Sequence, residues 1–238
     1  MHNFQIKRFN VALSTFAPLS LSALLVACGG SNNYEPPVTT MAQYQVSITN
    51  GSAKQLLAPA AVLLNTQPLN LWAIGSPASP ALEQLAESGS PDALLASVLA
   101  SDSASAGPTA AGASNAVILS LPASMPAYIS FASMPVYTND GFVGLQNIDV
   151  SSLMLGESMH MAVPVYDAGT EANTESLNTL PGPDVGGEGF DAERDDIHNY
   201  VTRHAGVVSF DGGLTTSVLD ESYRFDSGSF YLKVTRTQ

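Results

Sequence analysis

Cysteine is almost absent from this sequence of 238 residues, in which Cys28 is the only one. No intramolecular disulfide can form, so the fold must be stabilised by packing or by a bound metal. Basic residues are also scarce, since 8 Lys and Arg stand against 21 Asp and Glu and give a formal net charge of −13. A chain this acidic repels phosphate backbones. We therefore expect no nucleic-acid partner and favour divalent cations or basic partners.

The single cysteine lies at the end of a short apolar segment near the N-terminus. Lys7 and Arg8 precede an apolar run over residues 11–27, which is short for a membrane-spanning helix. The run ends in the letters LVACG (25–29), which have the form of a lipobox. This pattern predicts a lipoprotein signal peptide over residues 1–27 and lipidation of Cys28, the alternative being an ordinary signal peptide. Because Gly29 stands where an Asp would favour inner-membrane retention, we expect an outer-membrane lipoprotein of a Gram-negative cell envelope.

The remainder of the chain predicts a tether followed by one β-rich domain. Residues 28–41 are polar and contain two consecutive prolines, as a lipidated tether would, and residues 42–238 would form the domain. Alternating polar and apolar residues predict a strand over 44–49. Further short apolar runs predict strands at 62–65, 69–74, 116–121, 127–134, 142–150, 160–165, 207–210 and 230–234. Such spacing favours an all-β, antiparallel β-sandwich.

Helical signals interrupt this pattern once. Ser79 as N-cap, Pro80 at the first position and Gly89 as a stop predict one short helix, and residues 91–100 predict a second with Leu94 and Leu99 facing inward. The Ala/Ser/Gly-rich residues 101–114 indicate a mobile loop. Residues 168–196 lack periodicity, and a loop of that length is usually functional or disordered.

Two glycine-containing segments place carboxylates at the edges of predicted strands. One contains Asp140 and the other contains Asp167 and Glu171. Calcium prefers oxygen ligands, which carboxylates on neighbouring loops can supply. These three residues are therefore the candidate metal ligands. The alternative is that residues 139–141 form a simple hairpin turn and that Asp167 caps a loop.

Two other groups of residues carry weaker signals. The acidic run over 184–196 resembles a twelve-residue calcium loop from 184 to 195, but Gly186 stands where a third-position ligand is needed, so a solvated acidic loop is favoured. His198 and His204, with neighbouring acids, allow a metal-dependent hydrolase as the alternative function. Their spacing fits no common zinc motif, and the sequence has no Gly-x-Ser-x-Gly nucleophile motif. We therefore expect a non-enzymatic protein.

Several of these segments together are similar to one known family. They are YQVSITN (44–50), LWAIGSPASPALEQLAESG (71–89), TNDGFVGL (138–145), VYDAGTEANTES (165–176), PGP (181–183), GEGF (187–190) and YRFD (223–226). In this order they resemble bacterial spondin-domain proteins, relatives of the N-terminal domain of the extracellular-matrix spondins. The resemblance runs from about residue 42 to the C-terminus.

The resemblance implies an antiparallel β-sandwich that binds one calcium ion and acts in adhesion. Its metal ligands would match Asp140 and Asp167, with Glu171 as a further candidate. The sequence departs from the family where Asn65 replaces a common His and where a disulfide is impossible. We therefore expect a lipid-anchored, calcium-stabilised binding module. Its partners would be the membrane, through the anchor, and an unidentified extracellular or envelope protein or glycan.

Overall fold

The computed structural model describes residues 39–193, 198–226 and 228–238. The predicted signal peptide, the lipidation site at Cys28 and most of the tether lie outside these ranges. Ten strands and two α-helices are found within them: β1 Met41–Asn50, β2 Ala60–Asn65, α1 Pro80–Ser88, α2 Asp92–Ser97, β3 Asp102–Ala106, β4 Ser114–Pro122, β5 Tyr128–Ser133, β6 Gly141–Asp149, β7 Ser158–Ala162, β8 Val165–Asp167, β9 Thr202–Arg203 and β10 Phe230–Arg236. None of the helices in the described part is long and apolar enough to cross a membrane.

The strands form two antiparallel sheets, which confirms the predicted all-β sandwich with short helical insertions. One sheet has the order β4-β1-β10-β7, and the other has the order β3-β2-β5-β6-β8-β9. The predicted alternation in β1 is confirmed, because Tyr44, Val46 and Ile48 are buried. Their side chains join Phe131 and Phe230 in the core cluster. Each fully buried side chain of this size contributes roughly 1.5–3 kcal/mol to stability.

Helix α1 begins and ends where its sequence signals predict. The side chain of Ser79 accepts a hydrogen bond from the Leu82 backbone N–H, and Pro80 is the first helical residue. Gly89 takes a left-handed conformation with φ 71° and donates its N–H to the Leu85 carbonyl. The apolar face of the helix packs with Trp72 in a second cluster, on the side of β6 opposite the main core.

Two predicted elements next to this helix were wrong in extent. Helix α2 covers Asp92–Ser97, because Val98 is already extended at φ −127° and ψ 145°. Leu94 is buried, but Leu99 is 99% exposed and not inward-facing. The predicted mobile loop 101–114 contains β3, which pairs with β2 and whose Asp102 carboxylate accepts the Ser120 N–H at 2.7 Å.

The apolar run 69–74 is not a strand. Its backbone is paired with side-chain amides, because Asn147 accepts the Leu69 N–H at 2.6 Å and donates to the Leu69 carbonyl at 2.6 Å. Gln146 makes the corresponding pair, accepting the Leu71 N–H at 3.1 Å and donating to the Trp72 carbonyl at 2.9 Å. Amide side chains thus take the place of a neighbouring strand.

Two later strand predictions also need correction. The run 160–165 is divided between β7 in the four-stranded sheet and β8 in the six-stranded sheet. The chain changes sheets near Pro164, whose carbonyl accepts the Gly144 N–H. Residues 207–210 form no strand, and Ser209 has a φ of 69°, outside the extended region. The strand found in this region is the two-residue β9.

Candidate functional site

The two aspartates predicted as metal ligands lie at the same end of the six-stranded sheet. Gly141, the first residue of β6, pairs with Asp167, the last residue of β8. The Asp140 carbonyl accepts the Ala168 N–H at 3.1 Å, which extends the ladder by one step. On the other side Asp167 pairs with Thr202 of β9. Sheet register therefore brings together the backbones of two aspartates that are 27 positions apart in the sequence.

Asp140 is a fully buried carboxylate, with one oxygen saturated and the other not. Its Oδ2 accepts backbone N–H groups of Thr170 at 2.7 Å and Glu171 at 3.1 Å. Its Oδ1 is buried and has no hydrogen-bond donor in the described part of the chain. Burial, and then the neighbouring Asp167 carboxylate, raise the pKa of Asp140 to about 7. The alternative of a simple hairpin turn at 139–141 agrees with the path of the chain, because these residues lie where the connection between the antiparallel strands β5 and β6 ends, but Asn139 and Asp140 are buried.

Asp167 shapes the loop that follows β8. Its Oδ1 accepts the Gly169 N–H at 2.9 Å, and its Oδ2 accepts the Asn173 side-chain amide at 2.5 Å. It therefore does cap its loop, as the alternative interpretation held. Gly169 has a φ of +72°, and a Cβ at this position would lie 2.4 Å from the Tyr200 carbonyl oxygen. Only glycine fits both the turn and this close approach.

Glu171 is four residues from Asp167 in the sequence, but its carboxylate binds the Asn139 side chain. Its Oε2 accepts the Asn139 side-chain amide at 3.4 Å, while its backbone N–H binds Asp140. In the described ranges, no three His, Cys, Asp or Glu side chains are grouped so that they could hold a metal ion. The one feature at this end that a hard cation would satisfy is the buried Asp140 oxygen, which has no donor among the described residues and feels the negative charge of Asp167.

The acidic run 184–196 does not form one binding loop in the described residues. Asp184 accepts the Tyr137 hydroxyl at 3.0 Å. The Asp191 N–H binds Glu87 on α1 at 3.0 Å. Glu188, Asp191 and Glu193 line a cavity of about 80 Å³ together with Glu171. Residues 194–197 lie outside the described part, so the segment 184–195 of the disfavoured calcium-loop interpretation is described only up to residue 193.

The two histidines of the alternative enzyme hypothesis lie in different places. His198 lines a cavity of about 300 Å³ next to Asp167, with its ring 5.5 Å from that of Tyr200. His204 lines a separate cavity with Arg203, Arg224 and Phe225. Its Nδ1 accepts the Gly206 N–H at 2.9 Å, and burial lowers its pKa against the opposing effect of Asp167 and Glu175. The two imidazoles therefore share no site.

Glu175 is the residue of this region that sequence reasoning missed. It is 5% exposed, and its carboxylate accepts the N–H groups of Val208 at 2.6 Å and Ser209 at 3.0 Å and the Ser217 hydroxyl at 2.6 Å. Its own N–H binds the Asn139 side chain at 3.2 Å. Glu175 thus ties the loop after β8 to the loop after β9. No periodicity in the surrounding polar sequence could have indicated this role.

We compared the chain with protein-family models and with curated proteins. The chain matches no protein-family model and no curated protein. The case for a function therefore depends on the fold, the residues of the site and the motifs in the sequence.

Proposed function

We propose that the protein is a lipid-anchored binding module of the bacterial cell envelope, of the spondin-domain type, and that calcium stabilises it without taking part in catalysis. Asp140 and Asp167 would hold the ion, with Glu171 as a further ligand. The observation that carries the proposal is the buried Oδ1 of Asp140, which lacks a donor in the described chain and lies near the Asp167 carboxylate.

The residues around Asp140 explain why a cation would matter for this end of the sandwich. Calcium, when bound, supplies two positive charges and takes about six to eight oxygen ligands. Asp140 Oδ2 already fixes the start of the loop after β8 through Thr170 and Glu171. The same loop continues to Glu175, which binds the 208–217 segment. Neutralising Asp140 would therefore stabilise two loops, and loops held in this way commonly supply ligand contacts.

The location and partners in this proposal come from the sequence. The lipobox ending at Cys28 supports the anchor, and Gly29 supports the outer membrane. The strong excess of acidic residues supports a protein or glycan partner and argues against nucleic acid.

Thermal unfolding of the purified protein in EDTA, in millimolar calcium and in millimolar magnesium tests the metal site. Calcium at about one hundred times its dissociation constant adds ~2.7 kcal/mol to the free energy of unfolding. For a chain of this size that is a rise in Tm of roughly 5–10 °C. We expect Asp140→Asn to abolish this rise, because the amide is uncharged and replaces one of the two carboxylate oxygens with an NH₂ donor.

Asp149→Asn is the matched control. Asp149 is the last residue of β6, at the opposite end of the strand, and is exposed. We expect this variant to retain the full calcium response. An equal calcium response in Asp140→Asn and in the unmodified protein would place the ion elsewhere. No calcium response in the unmodified protein would make the calcium proposal wrong.

A further inference from the structure

The cavity of about 300 Å³ beside β8 combines polar side chains with an aromatic wall. Its polar lining includes Asp167, Asn173 and Thr202, and its aromatic wall is formed by His198 and Tyr200. Tyr200 is 37% exposed, so a ligand in solution can reach this residue. A volume of this size lies at the lower end of the range for small-molecule sites.

The walls of this cavity are held by backbone contacts. Thr202 lies in β9 and pairs with Asp167. The neighbouring Val201 exchanges backbone hydrogen bonds of 2.8 and 2.9 Å with Gly75 and Ser76. Asn173 is held by its 2.5 Å bond to Asp167. The polar groups and the Tyr200 segment are therefore positioned before any ligand arrives, which lowers the entropic cost of binding.

The charges of the lining select against anionic ligands. No Lys or Arg is among the described lining residues, whereas Asp167 and Glu171 are, so a phosphate, sulfate or carboxylate would be repelled. Each oxygen of Asp167, and Oε2 of Glu171, accepts a hydrogen bond from within the protein, and a carboxylate oxygen can accept a second one from a ligand donor. A neutral ligand with several hydroxyl groups can donate to these carboxylates and also accept from the amide, hydroxyl and imidazole groups of the lining, whereas an ammonium or guanidinium group has donors only.

We infer that this cavity binds a single neutral hexopyranose unit of a glycan. Carboxylate, amide, hydroxyl and imidazole groups together offer the donors and acceptors that neighbouring sugar hydroxyls require. The Tyr200 ring offers a flat surface for the apolar C–H face of the sugar. This inference gives a ligand class to the proposed binding module and rests on that role, but it does not require the metal.

Saturation-transfer difference NMR on the purified full-length protein tests it with methyl glycosides of glucose, galactose and mannose. Methyl glucuronide and arginine serve as anionic and cationic probes, and each probe is measured in EDTA and in calcium. We expect at least one neutral glycoside to bind under both conditions. We expect Tyr200→Ala to weaken that binding about tenfold or more, because the stacking surface is lost.

Tyr231→Ala is the matched control, since Tyr231 is 47% exposed but lies in β10 of the other sheet. It should leave glycoside binding unchanged. The inference is overturned if none of the neutral glycosides binds, or if the Tyr200→Ala variant binds them as well as the native protein does. Binding of arginine alone would identify the cavity as a site for organic cations and would also overturn the inference. Calcium-dependent melting without glycoside binding refutes only this inference, whereas glycoside binding without calcium-dependent melting refutes only the metal proposal.

Discussion

Replacing Glu175 with Gln tests whether one buried carboxylate joins the two long loops of the sandwich. In the native structure Oε1 accepts the Val208 N–H, and Oε2 accepts the Ser209 N–H and the Ser217 hydroxyl. An amide has one acceptor and one donor end. Whichever way it is oriented, its NH₂ group faces the backbone N–H of Val208 or of Ser209, and that donor loses its acceptor inside the protein.

The size of the effect follows from these contacts. Leaving one buried N–H unpaired costs about 1–3 kcal/mol. The hydrogen bonds that remain also weaken, because charge-assisted bonds are roughly twice as strong as neutral ones. We therefore expect Glu175→Gln to lower the free energy of unfolding by about 2–4 kcal/mol. In a chain of this length that corresponds to a fall in Tm of roughly 4–16 °C.

Urea unfolding followed by circular dichroism and by fluorescence of Trp72, the single tryptophan of the chain, measures this loss. Limited proteolysis should show earlier cleavage in residues 168–193 and 205–219 than in the native protein. Glu157→Gln is the control, because Glu157 is exposed and accepts one backbone N–H at 2.9 Å. A Glu175→Gln protein within about 0.5 kcal/mol of the native stability, the range of ordinary surface substitutions, would refute the proposed role.

Three further predictions concern other parts of the chain. Gly144→Ala should lower the free energy of unfolding by about 1–3 kcal/mol and alter the fluorescence emission of Trp72, because the added Cβ would lie 2.8 Å from the Trp72 ring. An unchanged Tm and an unchanged emission spectrum would contradict this prediction. Burial and the hydrogen bond to Asp184 raise the pKa of Tyr137 from 10.0 to about 12. Between these pH values the folded protein keeps the Tyr137 proton and the unfolded chain loses it, so the free energy of unfolding falls as the pH rises. Urea titrations at about pH 9 and about pH 11 should show a decline about 1.4 kcal/mol smaller in Tyr137→Phe than in the native protein, and equal declines would contradict the assignment. Cys28→Ser should abolish incorporation of labelled palmitate in cells, and a native protein that takes up no label would exclude the lipid anchor.

Local signals in the sequence were sufficient for some elements. Helix α1 was predicted with its caps because Ser79, Pro80 and Gly89 act within a few residues of one another. The alternation in β1 was equally local, since its inward residues all meet one core. By contrast, β3 consists of small Ser and Ala residues and is a strand because β2 pairs with it. A weakly hydrophobic segment of this kind gives no local signal of such pairing.

In the candidate site, too, features that depend on neighbouring residues in the sequence could be predicted, and features that depend on distant residues could not. The position of Asp140 and Asp167 at the ends of strands could be predicted from the sequence, because each stands near a glycine at the edge of a predicted strand. The partners of Glu175 could not, since they come from a segment about 30 to 40 positions away and their contacts depend on loop conformation. The boundary between β7 and β8 was missed for a related reason, because the apolar residues of the run 160–165 continue through Val163 while the chain passes to the other sheet.

The ends of the described chain bear directly on how this domain can be attached to a surface. Strand β1 runs from Met41 to Asn50, a length of about 30 Å at 3.3 Å per residue. The Gln43 N–H binds the carbonyl of Gln238, so the C-terminus lies beside the start of β1. Asn50, at the far end, contacts Gln55, which binds Tyr137, three residues before Asp140. A linker, sensor chip or fusion partner joined at Gln238 would therefore leave the Asp140 end open to ligand.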